Sequence, residues 1–324
     1  MLRNIRLTAA LLVGSLVAVL PSAAFAEASE ATPAAVSPLL TASELQSLLG
    51  QRNVRVLDIR APQDYAAGHI PGAVNTPYGA YRGPADNAGA LRSEAELTEL
   101  LRKAGIDHDT HVVVTHAGSN ATDFGAAARV YWTLKVGGLT RLSVLDGGTL
   151  GWQAAGGTLD TAVPEVAPSE FTYRYDRSLI ASTEDVAAIV KAGQGPLLLD
   201  SRPASFFNGE QRVDAAARYG TLPGAKVLEF STFFNADGKT LKPAEELRAI
   251  AEQAGVADAP TVSFCNTGHW AATNWFVLSE IAGNSQVQLY PESMVAWSKT
   301  DLPMDNQPSR LEALVLDAKR ALKK

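Results

Sequence analysis

The sequence is poor in the residues that staple or anchor a chain. It has one cysteine, three methionines and, after its first twenty residues, no long apolar run. A single cysteine excludes an internal disulfide and a cysteine-rich structural zinc site. Lys and Arg number 28 against 34 Asp and Glu, with no basic run, so nothing supports nucleic-acid binding. The lack of a later apolar stretch of membrane length argues against a span in the mature chain. Gly147-Gly148 lacks the Gly-x-x-x-x-Gly-Lys pattern, so it is no phosphate loop. His108 and His111 have no third ligand nearby in sequence, and neither metal nor other cofactor is expected.

What is present begins with a processing segment. Arg3 and Arg6 precede an apolar run from Leu7 to Leu20, and Ala24-Phe25-Ala26 forms a cleavage signal, so residues 1–26 read as a signal peptide cut after Ala26. Removing Arg3 and Arg6 leaves 26 basic against 34 acidic residues, a net charge near −8. The mature chain is expected in the periplasm or outside the cell. In that oxidising space a lone thiol is a hazard unless shielded or chemically used.

Residues 27–38 are a flexible lead-in of small residues and proline. The first domain is expected over 39–157. Thr41 caps a helix over Ser43–Leu49, Val54–Leu57 is a strand ending at Asp58, and Ser93 with Glu96 forms a capping box for a helix to Lys103. His111–Thr115 is a strand, the loop from His116 to Asp123 is polar, Gly125–Lys135 is helical and Leu142–Leu145 is a strand. A linker is expected over 158–172, a second domain over 173–304 and a C-terminal helix over 305–324.

The second domain repeats the first. Asp200-Ser201-Arg202 echoes Asp58-Ile59-Arg60, Leu222-Pro223-Gly224-Ala225 echoes Ile70-Pro71-Gly72-Ala73, and Trp297 echoes Trp152. Thr183–Lys191 and Pro243–Gln253 read as helices. Leu197–Leu199, Thr261–Phe264 and Val287–Tyr290 read as strands, and Ala271–Ile281 as a further helix. Strands alternating with helices predict an α/β fold in which each domain is a parallel sheet flanked by helices. Ligands of such sheets bind at the carboxyl ends of the strands.

Thr261–Phe264 ends in Cys265, followed by Asn266-Thr267-Gly268-His269-Trp270 and the helix. A cysteine between a strand and a helix N-terminus meets converging N–H groups and the positive end of the helix dipole, which favour the reactive thiolate. Cys265 is therefore the candidate nucleophile, expected to be exposed and ringed by amides, with Asn266, Thr267, Gly268, His269 and Trp270 as the active-site loop. The matching strand end of the first domain is Thr115-His116, without a nucleophile. That domain reads as structural, with one wall of a cleft as its further possible role.

Asp-x-Arg, Gly68-His69-Ile70-Pro71-Gly72-Ala73-Val74-Asn75, Asp146-Gly147-Gly148 and the Cys265 loop together resemble the rhodanese sulfurtransferases. The resemblance is to the tandem-domain type and covers roughly residues 38–300. It implies two rhodanese domains with the active site in the second. It also implies transfer of sulfane sulfur from a donor, thiosulfate by default, through a Cys265 persulfide to cyanide or a thiol, in two covalent half-reactions. Basic loop residues expected from the resemblance are replaced by Asn266 and Thr267, and an expected arginine by Phe206. Arg212 and Arg202 are the candidate substrate-binding cations, and His269 is a candidate donor. The Cys-x₅-Arg pattern of cysteine phosphatases is absent, since Ala271 occupies the arginine position. The competing reading is a non-catalytic sulfur carrier or partner-binding module, with a protein as the acceptor.

Overall fold

The computed structural model describes residues 36–322; the signal peptide and most of the lead-in lie outside the described residues. Two all-parallel sheets follow one another along the chain. The first contains β1 (Leu39–Leu40), β2 (Val54–Asp58), β3 (Val74–Asn75), β4 (His111–Thr115) and β5 (Leu142–Leu145), in the order β1-β5-β4-β2-β3. The second contains β6 (Leu197–Asp200), β7 (Lys226–Val227), β8 (Thr261–Phe264) and β9 (Val287–Leu289), in the order β7-β6-β8-β9. Central β4 and β8 are buried at every position, as near-continuous apolar strands of covered parallel sheets are. Asp58 aligns with Thr115, and Asp200 with Phe264. The chain therefore leaves β4 at His116 and β8 at Cys265, at equivalent carboxyl edges.

Five of the eleven α-helices among the described residues start at a side-chain cap. Thr41 with Glu44, Ser93 with Glu96, Ser182 with Asp185 and Ser309 with Glu312 each form a reciprocal capping box. Three helices depart from expectation, among them the C-terminal one, which starts at Arg310 behind the Ser309 cap and not at 305. The helix expected from Gly125 spans Ala121–Val136, because the Asn120 side chain accepts from the N–H groups of Thr122 and Asp123 and starts it four residues earlier. The helix expected over Ala271–Ile281 is α-helical only over Trp270–Phe276, after which a π turn covers Val277–Ile281. Short helices at Pro62–Ala67, Gly148–Ala154 and Ala204–Phe207 were not predicted.

Each sheet has an outer apolar cluster: Leu45, Val56, Ile70 and Trp152 on the first, Val186, Leu198, Val262 and Trp297 on the second. The inner faces share one core. The helix Ala121–Val136 is buried almost all round, and its Phe124 and Tyr131 meet Phe276 edge-to-face at 5.5 and 5.0 Å. Across this contact the Tyr131 hydroxyl and the Lys135 ammonium both donate to Glu280, at 2.7 Å each. The segment 158–172 is held against the first sheet's helices, since Arg102 donates to the Phe171 carbonyl and Ser169 to that of Ile106. Among the described residues no helix is long and apolar enough to cross a membrane.

Candidate active site

The two Asp-x-Arg motifs make the same clamp. Arg60 grips both carboxylate oxygens of Asp58 and donates to the Gly68 carbonyl; Arg202 grips Asp200 and donates to that of Gly220. Each clamp ties a strand end to the turn before the next strand. Arg202 is buried, and its remaining reach is to Asn266 Oδ1 at 3.4 Å. It therefore braces the Cys265 loop with its charge already neutralised by Asp200.

The loop is held by both domains. From its own domain, the Ser293 hydroxyl accepts from the N–H groups of Cys265 (3.0 Å) and Gly268 (3.2 Å) and donates to the Tyr290 carbonyl (2.7 Å). Ser293 is fully buried and takes a left-handed backbone, φ 51°, to do this. Cys265 and Asn266 carbonyls accept from Met294 and Val295. From the first domain, Arg82 donates to the Thr267 carbonyl at 2.7 Å, and Arg129 to the Gly268 carbonyl at 3.2 Å. Tyr78 donates to His269 Nδ1 at 2.8 Å, and His269 Nε2 donates to the Thr122 carbonyl at 2.8 Å. Trp270 Nε1 donates to the Thr122 hydroxyl. The N–H groups of Asn266, Thr267 and His269 have no acceptor among the described residues.

Three expectations need correction. The first is exposure. Cys265 is 1% exposed and packs in the shared core, not at an open cleft mouth, because the first domain closes over the loop. The second is Arg212. It donates to the Ala216 carbonyl and to Asp317 of the C-terminal helix Arg310–Ala321, so that helix consumes its charge. It lines a cavity of about 270 Å³ beside that helix, with Tyr219 and Arg320. The third is His269. Both its ring nitrogens are engaged by the first domain, which leaves no ring N–H for a ligand.

The first domain is thus more than a scaffold. Arg82 and Arg129, not among the residues expected at the site, bring the positive charge that the loop itself lacks. Burial and the neighbouring Arg82 pull the Arg129 pKa down, while Tyr78 and Cys265 act in the opposite sense, so a negative charge at Cys265 and the Arg129 cation favour each other. Burial raises the Tyr78 pKa and keeps its hydroxyl protonated. Burial and then Arg82 push the His269 pKa down to about 4, leaving a neutral ring. One sequence signal could have found Arg129: it is the single charge in the run Ala126–Leu134. Ser293 and Arg82 carry no comparable signal.

At the matching edge of the first sheet, His116 stands where Cys265 stands in the second. Burial pushes its pKa down to about 4, and its Nδ1 accepts from the Gly118 N–H. Among the described residues no group of three or more His, Cys, Asp or Glu side chains is arranged to hold a metal.

Comparison with known proteins agrees with this architecture. The family model described as rhodanese-like domain matches twice, over residues 41–155 and 182–300. A putative thiosulfate sulfurtransferase of Synechococcus elongatus is 31% identical over 295 residues, covering 88% of each chain. The sulfur carrier protein TtuD of Thermus thermophilus is 32% identical, covering 80% of this chain and 93% of its own. The crystal structure of the 3-mercaptopyruvate sulfotransferase SseA from Escherichia coli, 26% identical, superposes with a TM-score of 0.68 over 80% of this chain and 99% of that one. The chain belongs to the rhodanese family, with two rhodanese-like domains in tandem, and it is a sulfurtransferase.

Proposed function

We propose that Cys265 is the sulfur-carrying nucleophile. Its thiolate attacks the sulfane sulfur of a donor, holds it as a persulfide and passes it to cyanide or a thiol. The observation that carries this reading is the loop's polarity. Its carbonyls at Thr267 and Gly268 are taken by arginines, while the N–H groups of Asn266, Thr267 and His269 have no acceptor among the described residues and lie beside the only cysteine of the sequence. Unpaired amides around one loop are what an anionic persulfide needs. Thiosulfate is the default donor, and the relatives' names make 3-mercaptopyruvate a second candidate.

A carrier role is a second reading, and a specific observation favours it. Cys265 is buried, which suits a sulfur held safely until a partner opens the site, and a relative is named as a sulfur carrier. We further propose export, with cleavage after Ala26, because a lone thiol in an oxidising compartment benefits from that burial.

The test is sulfur loading. Protein incubated with thiosulfate or 3-mercaptopyruvate is expected to gain about one cyanide-labile sulfur, roughly 32 Da by intact mass, lost on reduction. The same spectrum of protein from an exporting host is expected to begin at Glu27. Cys265→Ser is expected to load nothing. Loading that survives this substitution would remove Cys265 from the mechanism. Rapid turnover with small thiols would exclude a pure carrier.

A further inference from the structure

The C-terminal helix Arg310–Ala321 lies beyond the second rhodanese-like domain, whose match ends at residue 300. It is docked by its polar side. Asp317 accepts from the Arg212 guanidinium and the Tyr219 hydroxyl, at 2.8 Å each, and Arg320 lies 3.3 Å from both Asp214 and Asp317. Ala313 and Leu316 on that side are half-buried, and no residue of the helix is buried. The opposite side is apolar and open. Leu311, Leu314, Val315 and Leu322 are 73%, 68%, 46% and 88% exposed, and Ala318 among them is exposed too. Positions 311, 314, 315, 318 and 322 form one stripe along a helix. An ordinary surface helix turns such a stripe inward and its charges outward; this one is reversed. Four of the seven large apolar side chains exposed among the described residues stand on this stripe, so it is a contiguous patch of the kind that marks an interface.

The charges that flank the stripe say what covers it. Residues seven apart fall on nearly one line of an α-helix. Glu312 and Lys319 therefore share one flank, and Arg310 and Asp317 the other. On both flanks the sign reverses between the first half of the helix and the second. When two copies of one helix lie antiparallel across a two-fold axis, the same flank of each meets, the first half of one against the second half of the other. Asp317 is engaged by its own domain, but Glu312 and Lys319 are exposed and neither is in an ion pair among the described residues. In an antiparallel pair Glu312 of each copy faces Lys319 of the other. A groove of about 620 Å³ runs along this flank between the helix and the Asn208–Glu210 turn, with Pro308 and Val315 in its walls, and gives the second helix a seat. A helix built for a membrane surface carries basic residues beside its apolar face, whereas here an acid, Glu312, stands at the edge of the stripe.

We propose that the outward stripe of the C-terminal helix is the face through which two copies of this chain pair, their helices antiparallel. The contact uses the same patch on both copies, so it closes at two and leaves no stripe free for further growth. The apolar side chains supply the attraction, and the Glu312–Lys319 pairs fix the direction of the helices. The pairing is independent of the role of Cys265.

The experiment reads the mass of the purified full chain by light scattering and sedimentation, from about 1 to 100 μM. Twice the chain mass is expected. Leu314→Glu is expected to raise the dissociation constant by roughly a hundredfold while leaving the thermal melt and sulfur loading unchanged. The charges give a second arm. Lys319→Glu and Glu312→Lys each set like charges opposite one another and are expected to weaken the pair roughly tenfold; mixed one to one, the two variants are expected to pair more tightly than either alone. If Glu312→Lys frays the helix through loss of its cap, Val315→Cys in a Cys265→Ser background takes its place. It is expected to cross-link into a dimer under copper–phenanthroline, and Leu314→Glu to suppress the cross-link. A single copy at every concentration overturns the proposal, as does a dimer indifferent to Leu314→Glu, or a charge mixture that pairs no better than its components. A single copy that floats with phosphatidylglycerol vesicles, and no longer does so with Leu314→Glu, overturns it in favour of a membrane face.

Discussion

Arg82 shows how much a single residue from the first domain decides. Its guanidinium fixes the Thr267 carbonyl at 2.7 Å and stands 5.2 Å from the centre of the Tyr78 ring, whose hydroxyl holds His269. A charge-assisted hydrogen bond of this kind contributes about 1.5–3 kcal/mol. Arg82→Ala should therefore slow sulfur transfer by roughly ten- to a hundredfold. The loss should fall chiefly in kcat, since the bond orients the loop and does not face the donor. Steady-state kinetics alongside a thermal melt would separate this from unfolding. An unchanged kcat in a folded variant would show that Arg129 alone holds the loop. Arg82 had no signature in the sequence, because a loop arginine reads as solvated until its partner is known.

At the scale of the element, the loop between β8 and the helix Trp270–Phe276 works through its shape. Gly268 has φ +64°, and a Cβ there would lie 2.5 Å from both the Arg129 guanidinium and the Pro291 carbonyl. Gly268→Ala combines left-handed strain with a backbone clash. It should destabilise the protein by roughly 2–4 kcal/mol and abolish most sulfur loading, as read by urea denaturation and intact mass. A variant that loads normally would show the loop to be more pliant than its packing implies. β8 and the loop were legible in sequence because an apolar run ending in Cys-x-x-Gly has a local cause. The split of the following helix into α and π turns was not, since its residues carry ordinary helical spacing.

For the whole molecule, burial makes stability respond to pH through three histidines, His111 acting in the same sense as the two whose shifts are large. His116 and His269 both have pKa values pushed down to about 4, below the 6.5 of the unfolded chain. Between those values the unfolded chain binds more protons, so their contribution is complete above pH 6.5 and is lost as pH falls toward 4. Asp146, whose pKa is raised by burial, acts in the opposite sense near the carboxylate range. The urea midpoint should therefore stay level from pH 8 to 7 and decline between about 6.5 and 4. His269→Gln should reduce that slope. A flat profile across this window would mean that the buried rings are not kept neutral.

The sequence alone determined the central strands, the helices that open on a capping box, the internal repeat and the position of the only thiol. Each is written in local periodicity, in cap chemistry or in motifs a few residues long. Tertiary structure alone decided that the thiol is buried, that Arg212 belongs to the C-terminal helix, and that the first domain supplies the cations holding the loop. Arg82 and Thr267 stand 185 residues apart, and Arg129 and Gly268 139 apart. No local pattern relates residues so distant; they meet because two parallel sheets press their inner helices into one core and bring the first domain against the β8 edge of the second.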